Sequence, residues 1–154
     1  MPKILLNVPH RLQQSDGDCL VACAAIVLSY LGRTVDYTQL LRLLNIQSYG
    51  APAGNIRSLV RWDFSVRYSK TDVKGLESLL QDGHPVIVFV LTDELPYWSC
   101  STAHALVVVG YDEDYIYAND PYRAEAPIAI ARGDFELAWQ ERDYHYVVIS
   151  SATL

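Results

Sequence analysis

Residues Leu12–Gly32 read "LQQSDGDCLVACAAIVLSYLG". A polar turn containing one glycine runs straight into an apolar stretch, and Cys19 stands at the junction. Val21, Ala24, Ala25, Leu28 and Leu31 recur at intervals of three and four, which predicts a helix from Cys19 to Leu31. Asp16 or Asp18 is available to cap its start, and Gly32 supplies its stop. The cysteine therefore opens a helix. Unpaired backbone N–H groups lend partial positive charge there, and such a site favours a thiolate. That placement makes Cys19 a candidate nucleophile rather than only a core thiol.

The rest of the first half also reads as mostly helical. "TVDYTQLLRLLNI" predicts a helix over 37–44 with Asp36 as N-cap, and "APAGNIRSLVRW" a short one over 55–61. "FSVRYS" alternates and reads as a strand, and "TDVKGLESLLQDG" as a helix from Thr71 or Asp72 to Gly83. From there strands take over. "PVIVFVL" (Pro85–Leu91) and "AHALVVVGY" (Ala103–Tyr111) are apolar runs of strand length. "YIYAND" returns across the short "DED" turn, which predicts an antiparallel hairpin. "APIAIA" is a further strand, "RGDFELAWQ" a short helix with Asp134 near its start, and "YHYVVISS" a final strand. Helices followed by mostly sequential strands predict an α+β fold, a helical lobe against an antiparallel sheet. With 154 residues and no linker or repeat, a single domain over 1–154 is expected.

Composition excludes several roles. The net charge is -6, and Arg57, Arg61 and Arg67 are interleaved with apolar residues rather than striped, so a nucleic-acid partner is not expected. No apolar run approaches the roughly 18 residues that span a bilayer, so no membrane insertion is expected. The N-terminal "MPKILLNVPHRL" has no long hydrophobic segment of the kind a signal peptide carries. Three cysteines without a CxxC pair argue against a disulfide framework, and reduced thiols suit a cytoplasmic location.

A cysteine nucleophile needs a base, an orienting group and an oxyanion donor. Of the four histidines, His10 lies in the leading segment, His84 in a turn, and His145 between two tyrosines of the last strand. His104 opens a strand, where a side chain can face a cleft, and is the best-placed base. Counted from Glu113 at the hairpin turn, His104 lies nine residues back and Asp120 seven forward. That near-match allows a cross-strand contact in which Asp120 orients the imidazole, with Pro121 ending the pairing. Gln13 lies six residues before Cys19 and could bind an oxyanion together with the Cys19 N–H, and Gln14 beside it is chemically equivalent. Cys23 lies one turn further along the helix and reads as core. Cys100, in "YWSCSTAH", reads as a loop thiol; a Cys19/Cys100/His104 zinc site lacks the short ligand spacing of such sites. Tyr97 and Trp98 are either a cleft wall or, more commonly for loop aromatics, a cover for core.

Taken together, "QQSDGDCLVACAAIVLSYLG", "GHPVIVFV", "HALVVVGYDEDYIYANDPY" and "FELAW" resemble the C39 and C39-like peptidases, within the papain-like cysteine peptidases. The resemblance runs in order from about residue 12 to residue 149. It implies a papain-like α+β fold. It also implies a triad of Cys19 as nucleophile, His104 as base and Asp120 as orienter, with Gln13 in the oxyanion hole. The substrate would be a peptide or protein, and no metal or organic cofactor is required. Some family members are peptidase domains fused to ABC exporters that cut leader peptides after a double glycine; no transporter segment is seen here, so that role does not carry over. The family usually has Gly directly after the cysteine, where this chain has Leu20. A leucine there could narrow the cleft, which keeps in play a catalytically silent peptide- or protein-binding module. The same thioester chemistry also serves deamidation, acyl transfer and isopeptide cleavage.

Overall fold

The computed structural model describes residues 3–152. At its centre lies α1 (Cys19–Tyr30), in which every residue from Leu20 to Leu28 is buried. The side marked by Val21, Ala24, Ala25 and Leu28 is thus matched by an equally covered side of Leu20, Ala22, Cys23, Ile26 and Val27. A helix that is apolar all round has no solvent face and must be enclosed. The enclosure comes from the sheet together with α2 (Tyr37–Leu43) and a 3-10 helix over Ala53–Trp62, whose core residues join those of α1 in one cluster. The segment expected as a short α-helix over 55–61 is this 3-10 helix. Its apolar residues Ala53, Ile56, Leu59 and Trp62 fall every third position, which is the 3-10 period.

Among the described residues seven strands form one sheet: β1 (Ile4–Leu5), β2 (Phe64–Lys70), β3 (Val86–Leu91), β4 (Ala103–Tyr111), β5 (Tyr115–Asn119), β6 (Ile128–Ala131) and β7 (His145–Ser151). Their order is β2-β7-β3-β4-β5-β6, and every pairing is antiparallel. β1, which the sequence pattern does not reveal, pairs with Gly110 and Tyr111 of β4 beyond the last residue that β3 covers. Alternation sorts the strand side chains onto two faces. Ile87, Phe89, Ala105, Val107, Val109 and Val147 pack with α1. Val86, Val88, Val90, Leu106, Val108 and Val148 pack with α3 (Val73–Gln81) and α4 (Arg132–Gln140). Cover on both faces explains why β3 and β4 are nearly continuous apolar runs. The helical lobe is therefore one of two helical layers, since α3 and α4 cross to the opposite face. Among the described residues no helix is long and apolar enough to cross a membrane.

The caps separate two kinds of helix start. Asp36 accepts the Gln39 N–H (3.0 Å) and Asp72 accepts the Gly75 N–H (2.8 Å), as N-caps do. Asp18 stands at the N-cap position of α1, but its side chain makes no capping bond. The loop that precedes α1 is instead braced from outside. Gly17 packs backbone to backbone on the Gln47–Gly50 turn, where an added Cβ would lie 2.5 Å from the Ser48 carbonyl oxygen and 2.8 Å from the Gly50 nitrogen. A Gly17→Ala substitution must move one segment off the other. It will lower stability by about 1–3 kcal/mol, the range for overpacking. An unchanged urea midpoint would show that the turn yields freely.

Candidate active site

Cys19 is the first residue of α1 and is half-buried. His104 is the second residue of β4 and Asp120 the first after β5. The hairpin register pairs Val107 with Asn119, so Asp120 falls diagonally opposite His104, within reach of its ring. The structure brings the two together: His104 Nε2 lies 2.7 Å from Asp120 Oδ1. Both side chains are withdrawn from solvent, at 4% and 0% exposure. With Nε2 engaged, Nδ1 is the remaining ring nitrogen, and His104 and Cys19 line the same cavity.

Asp120 is satisfied on both oxygens. Oδ1 also accepts the Tyr122 N–H (2.9 Å), and Oδ2 accepts the Tyr97 hydroxyl (2.7 Å) and the Trp98 Nε1–H (3.1 Å). Tyr97 and Trp98 are therefore ligands of the acid rather than mere cover. Trp98 also stacks on His104, with ring centroids 4.8 Å apart, and on Tyr122 at 4.4 Å. The residue types already hinted at this role, since buried Tyr and Trp normally bring a polar tip to a partner. The identity of that partner was hidden, because Tyr97 and Asp120 are 23 residues apart in the chain.

The charges follow from these contacts. Burial works against a charged His104, but its hydrogen bonds to Asp120 and Cys19 and their negative charge outweigh burial and push it up to about 9. Burial likewise works against a charged Asp120. The His104 hydrogen bond and charge, with the Tyr122 N–H and the Tyr97 hydroxyl, hold its carboxyl below the ordinary value. Burial, then Cys19 and Asp120, push the Cys23 thiol up, which suits a packing residue.

Two cavities meet at this point and share Asp16, Thr102, Ala103 and His104. The first, about 160 Å³, is lined also by Cys19, Leu20, Tyr49, Phe89 and Arg142. The second, about 210 Å³, is lined also by Gln13, Trp98, Cys100 and Tyr122. Of the two adjacent glutamines, Gln13 lines a cavity, whereas Gln14 is exposed and gives its main-chain N–H to Asp18. The Gln13 main-chain N–H donates to the Pro121 carbonyl (2.9 Å), next to Asp120. Its side-chain Nε2 donates to the carbonyls of Ser15 (2.8 Å) and, at longer range, Asp16 (3.4 Å). Cys100 is exposed. Among the described residues no group of three His, Cys, Asp or Glu gathers to hold a metal, so Cys19, Cys100 and His104 do not form a zinc site.

The sequence profile of the peptidase C39 like family matches residues 5–147. The chain belongs to this family. Solved structures place the C39-like fold alongside it. A protein from Bacillus anthracis described as a C39-like peptidase superposes with a TM-score of 0.82 at 20% identity, over 98% of each chain. The peptidase domain of Streptococcus ComA, a bifunctional ABC transporter of a quorum-sensing pathway, gives 0.76 at 20% identity, over 92% of this chain and 96% of that one. A double glycine motif protease from an AMS/PCAT transporter, solved with its leader peptide, gives 0.75 at 18% identity, over 96% and 94%. At such identities the likeness is one of fold. The uncharacterized Bacillus subtilis protein YvpB is 30% identical over 90 residues, which span 50% of this chain and 36% of that protein.

The raised His104 value has a measurable sign. A group whose folded value exceeds its unfolded one stabilises the fold below the unfolded value and loses that effect as pH rises through the folded value. The contribution of His104 is thus present below pH 6.5 and lost as pH rises to about 9. Imidazole NMR titration is expected to place His104 near 9 in the native chain and clearly lower in Asp120→Asn. A midpoint near the ordinary value in both would show that Asp120 does not hold the proton.

Proposed function

We propose that the chain is a cysteine peptidase that cleaves a peptide bond through Cys19, His104 and Asp120, with Gln13 in the oxyanion hole. The observation that carries this reading is one buried imidazole hydrogen-bonded to a buried carboxylate and lining the same cavity as the cysteine at a helix start. In this mechanism His104 holds the proton released by the Cys19 thiol. The sulfur attacks the carbonyl carbon, and the oxyanion is met by the Cys19 N–H and the Gln13 amide. His104 then protonates the leaving amine, and a thioester remains. Water, deprotonated by His104, releases the acid and regenerates the thiol. Asp120 keeps the ring aligned and its charged form stable. The two cavities that meet at His104, one of them lined by Cys19, suit an extended peptide whose residues flank the scissile bond. The leader peptide bound by the transporter-derived neighbour supports a peptide substrate here as well. Three free cysteines support a reducing, cytoplasmic setting.

Leu20 favours a second reading. It is 4% exposed and lines the first cavity, where it takes up room beside the nucleophile. A silent peptide-binding module, or thioester chemistry on another acceptor, would use the same walls.

An electrophilic thiol probe separates these readings. Cys19 is expected to label faster than the exposed Cys100, and His104→Ala to abolish that advantage. Equal labelling of both thiols, unmoved by His104→Ala, would sink the catalytic reading. If Cys19 labels fast and no peptide in a library is cut, deamidation or acyl transfer takes precedence. Cys19→Ala is expected to abolish turnover with little change in thermal midpoint. Asp120→Asn is expected to lower kcat on the order of 100-fold, the scale of general acid–base catalysis.

A further inference from the structure

Asp18 is a buried carboxylate, 1% exposed, with no part in the chemistry above. It occupies the N-cap position of α1, where an aspartate ordinarily accepts an N–H of the first helical turn. Here the side chain turns the other way. Oδ1 accepts the Ser15 N–H (2.8 Å) and the Ser15 hydroxyl (3.2 Å). Oδ2 accepts the Gln14 N–H (3.2 Å) and the Tyr37 hydroxyl (2.5 Å). Four donors are what a buried carboxylate requires to offset its lost hydration. Three of them come from the two residues that follow Gln13, and the fourth from the first residue of α2.

This arrangement has two consequences at the nucleophile. First, the carboxylate is the template on which residues 14 and 15 are bent. The Gln13 amide donates a short bond to the Ser15 carbonyl (2.8 Å), so its direction is set by the segment that Asp18 holds, and its second N–H, at 3.4 Å from the Asp16 carbonyl, is the one an oxyanion would take over. Second, the α1 N-terminus carries no side-chain cap, and its first-turn N–H groups are left available beside Cys19. Tyr37 secures the far side of the template. Its hydroxyl also accepts the Gln14 N–H (3.3 Å), and the Arg11 guanidinium lies 4.7 Å from its ring centroid. Burial, together with the hydrogen bond to Asp18, pushes the Tyr37 hydroxyl up, so it remains a donor.

We propose that Asp18 is a positioning residue for the oxyanion hole: its carboxylate, locked by Tyr37, holds the 14–15 turn that aims the Gln13 amide, and by turning away from α1 it leaves the helix N–H groups open to the oxyanion. This rests on the peptidase reading for its catalytic consequence, but the positioning itself is independent of turnover.

The experiment uses Asp18→Asn and Tyr37→Phe, the latter keeping the ring and removing only the hydroxyl. The first readout needs no ligand. In amide NMR spectra, the Gln13 side-chain NH₂ pair is expected to shift toward the values of a free glutamine amide in Asp18→Asn, and to a smaller extent in Tyr37→Phe. The backbone signals of β3 and β4 should stay in place. Unmoved Gln13 side-chain signals in a folded Asp18→Asn protein would overturn the proposal. If that variant fails to fold, Tyr37→Phe decides on the same criterion. The second readout compares two reagents at Cys19. A peptide aldehyde, whose tetrahedral adduct needs the oxyanion hole, is expected to lose about 100-fold in affinity, the scale of a small misplacement of a catalytic group. Alkylation by iodoacetamide, which needs no such hole, should proceed at the native rate. Equal loss on both reagents would mean that Asp18 acts on the nucleophile or on the fold at large, and would also overturn the proposal. Combining Asp18→Asn with Gln13→Ala should cost no more than Gln13→Ala alone, since both remove one donor. A native protein that binds no aldehyde fails the peptidase reading, while the NMR result still decides the role of Asp18.

Discussion

A carboxylate with no exposed surface organises this molecule. Asp120 lies at the end of β5, out of reach of water, and such a group is tolerated only when its oxygens are met by donors. The donors are His104 from the paired strand, the Tyr122 N–H just beyond it, and Tyr97 and Trp98 from the loop before β4. That single requirement draws together the β4–β5 hairpin, the 95–102 loop and the imidazole. It also sets the chemistry of the ring, because the hydrogen bond and charge of Asp120, together with Cys19, outweigh the effect of burial on His104.

The other half of the site depends on where a helix may end. α1 is enclosed almost all round, so its axis and depth are determined by packing, and its first two residues line the cavity beside His104. Of those two, Cys19 is half-buried and Leu20 is buried. Cys23, one turn in, is fully buried, and burial keeps it a neutral thiol. The difference between the proposed nucleophile and a core thiol is therefore one helical turn of depth. The loop that delivers Cys19 is held at Gly17 by the Gln47–Gly50 turn, at Gln13 by the Pro121 carbonyl, and at its middle by Asp18. The bond from Gln13 to Pro121 links the residue proposed for the oxyanion hole directly to the segment that carries Asp120.

Much of this was legible in the residues before any coordinates. The α1 start, the β4–β5 hairpin and the pairing of His104 with Asp120 follow from local patterns, because helical period, turn chemistry and register over a short hairpin all act within some twenty residues. The helix over 53–62 was legible as a helix but not as 3-10, since tertiary cover of every third residue selects that form. β1 was not legible at all: two residues become a strand only because β4 outruns β3 and offers a free edge. Tyr97 and Trp98 were ambiguous for the same kind of reason, as an aromatic's polar tip is assigned by whichever group the fold brings to it.

The sequence by itself determined the element order, the α+β class, a cysteine at a helix start and, separately, a hairpin carrying a histidine and an aspartate, because those depend on interactions between near neighbours in the chain. The tertiary structure alone decided which glutamine lines the cavity, which face α3 and α4 cover, and that Asp18 turns from its helix to the loop behind it. Those outcomes depend on burial, and burial is a property of how distant segments close on one another. A carboxylate at an N-cap position bonds its own helix unless a better set of donors is folded around it. Tyr37, 19 residues away, completes that set.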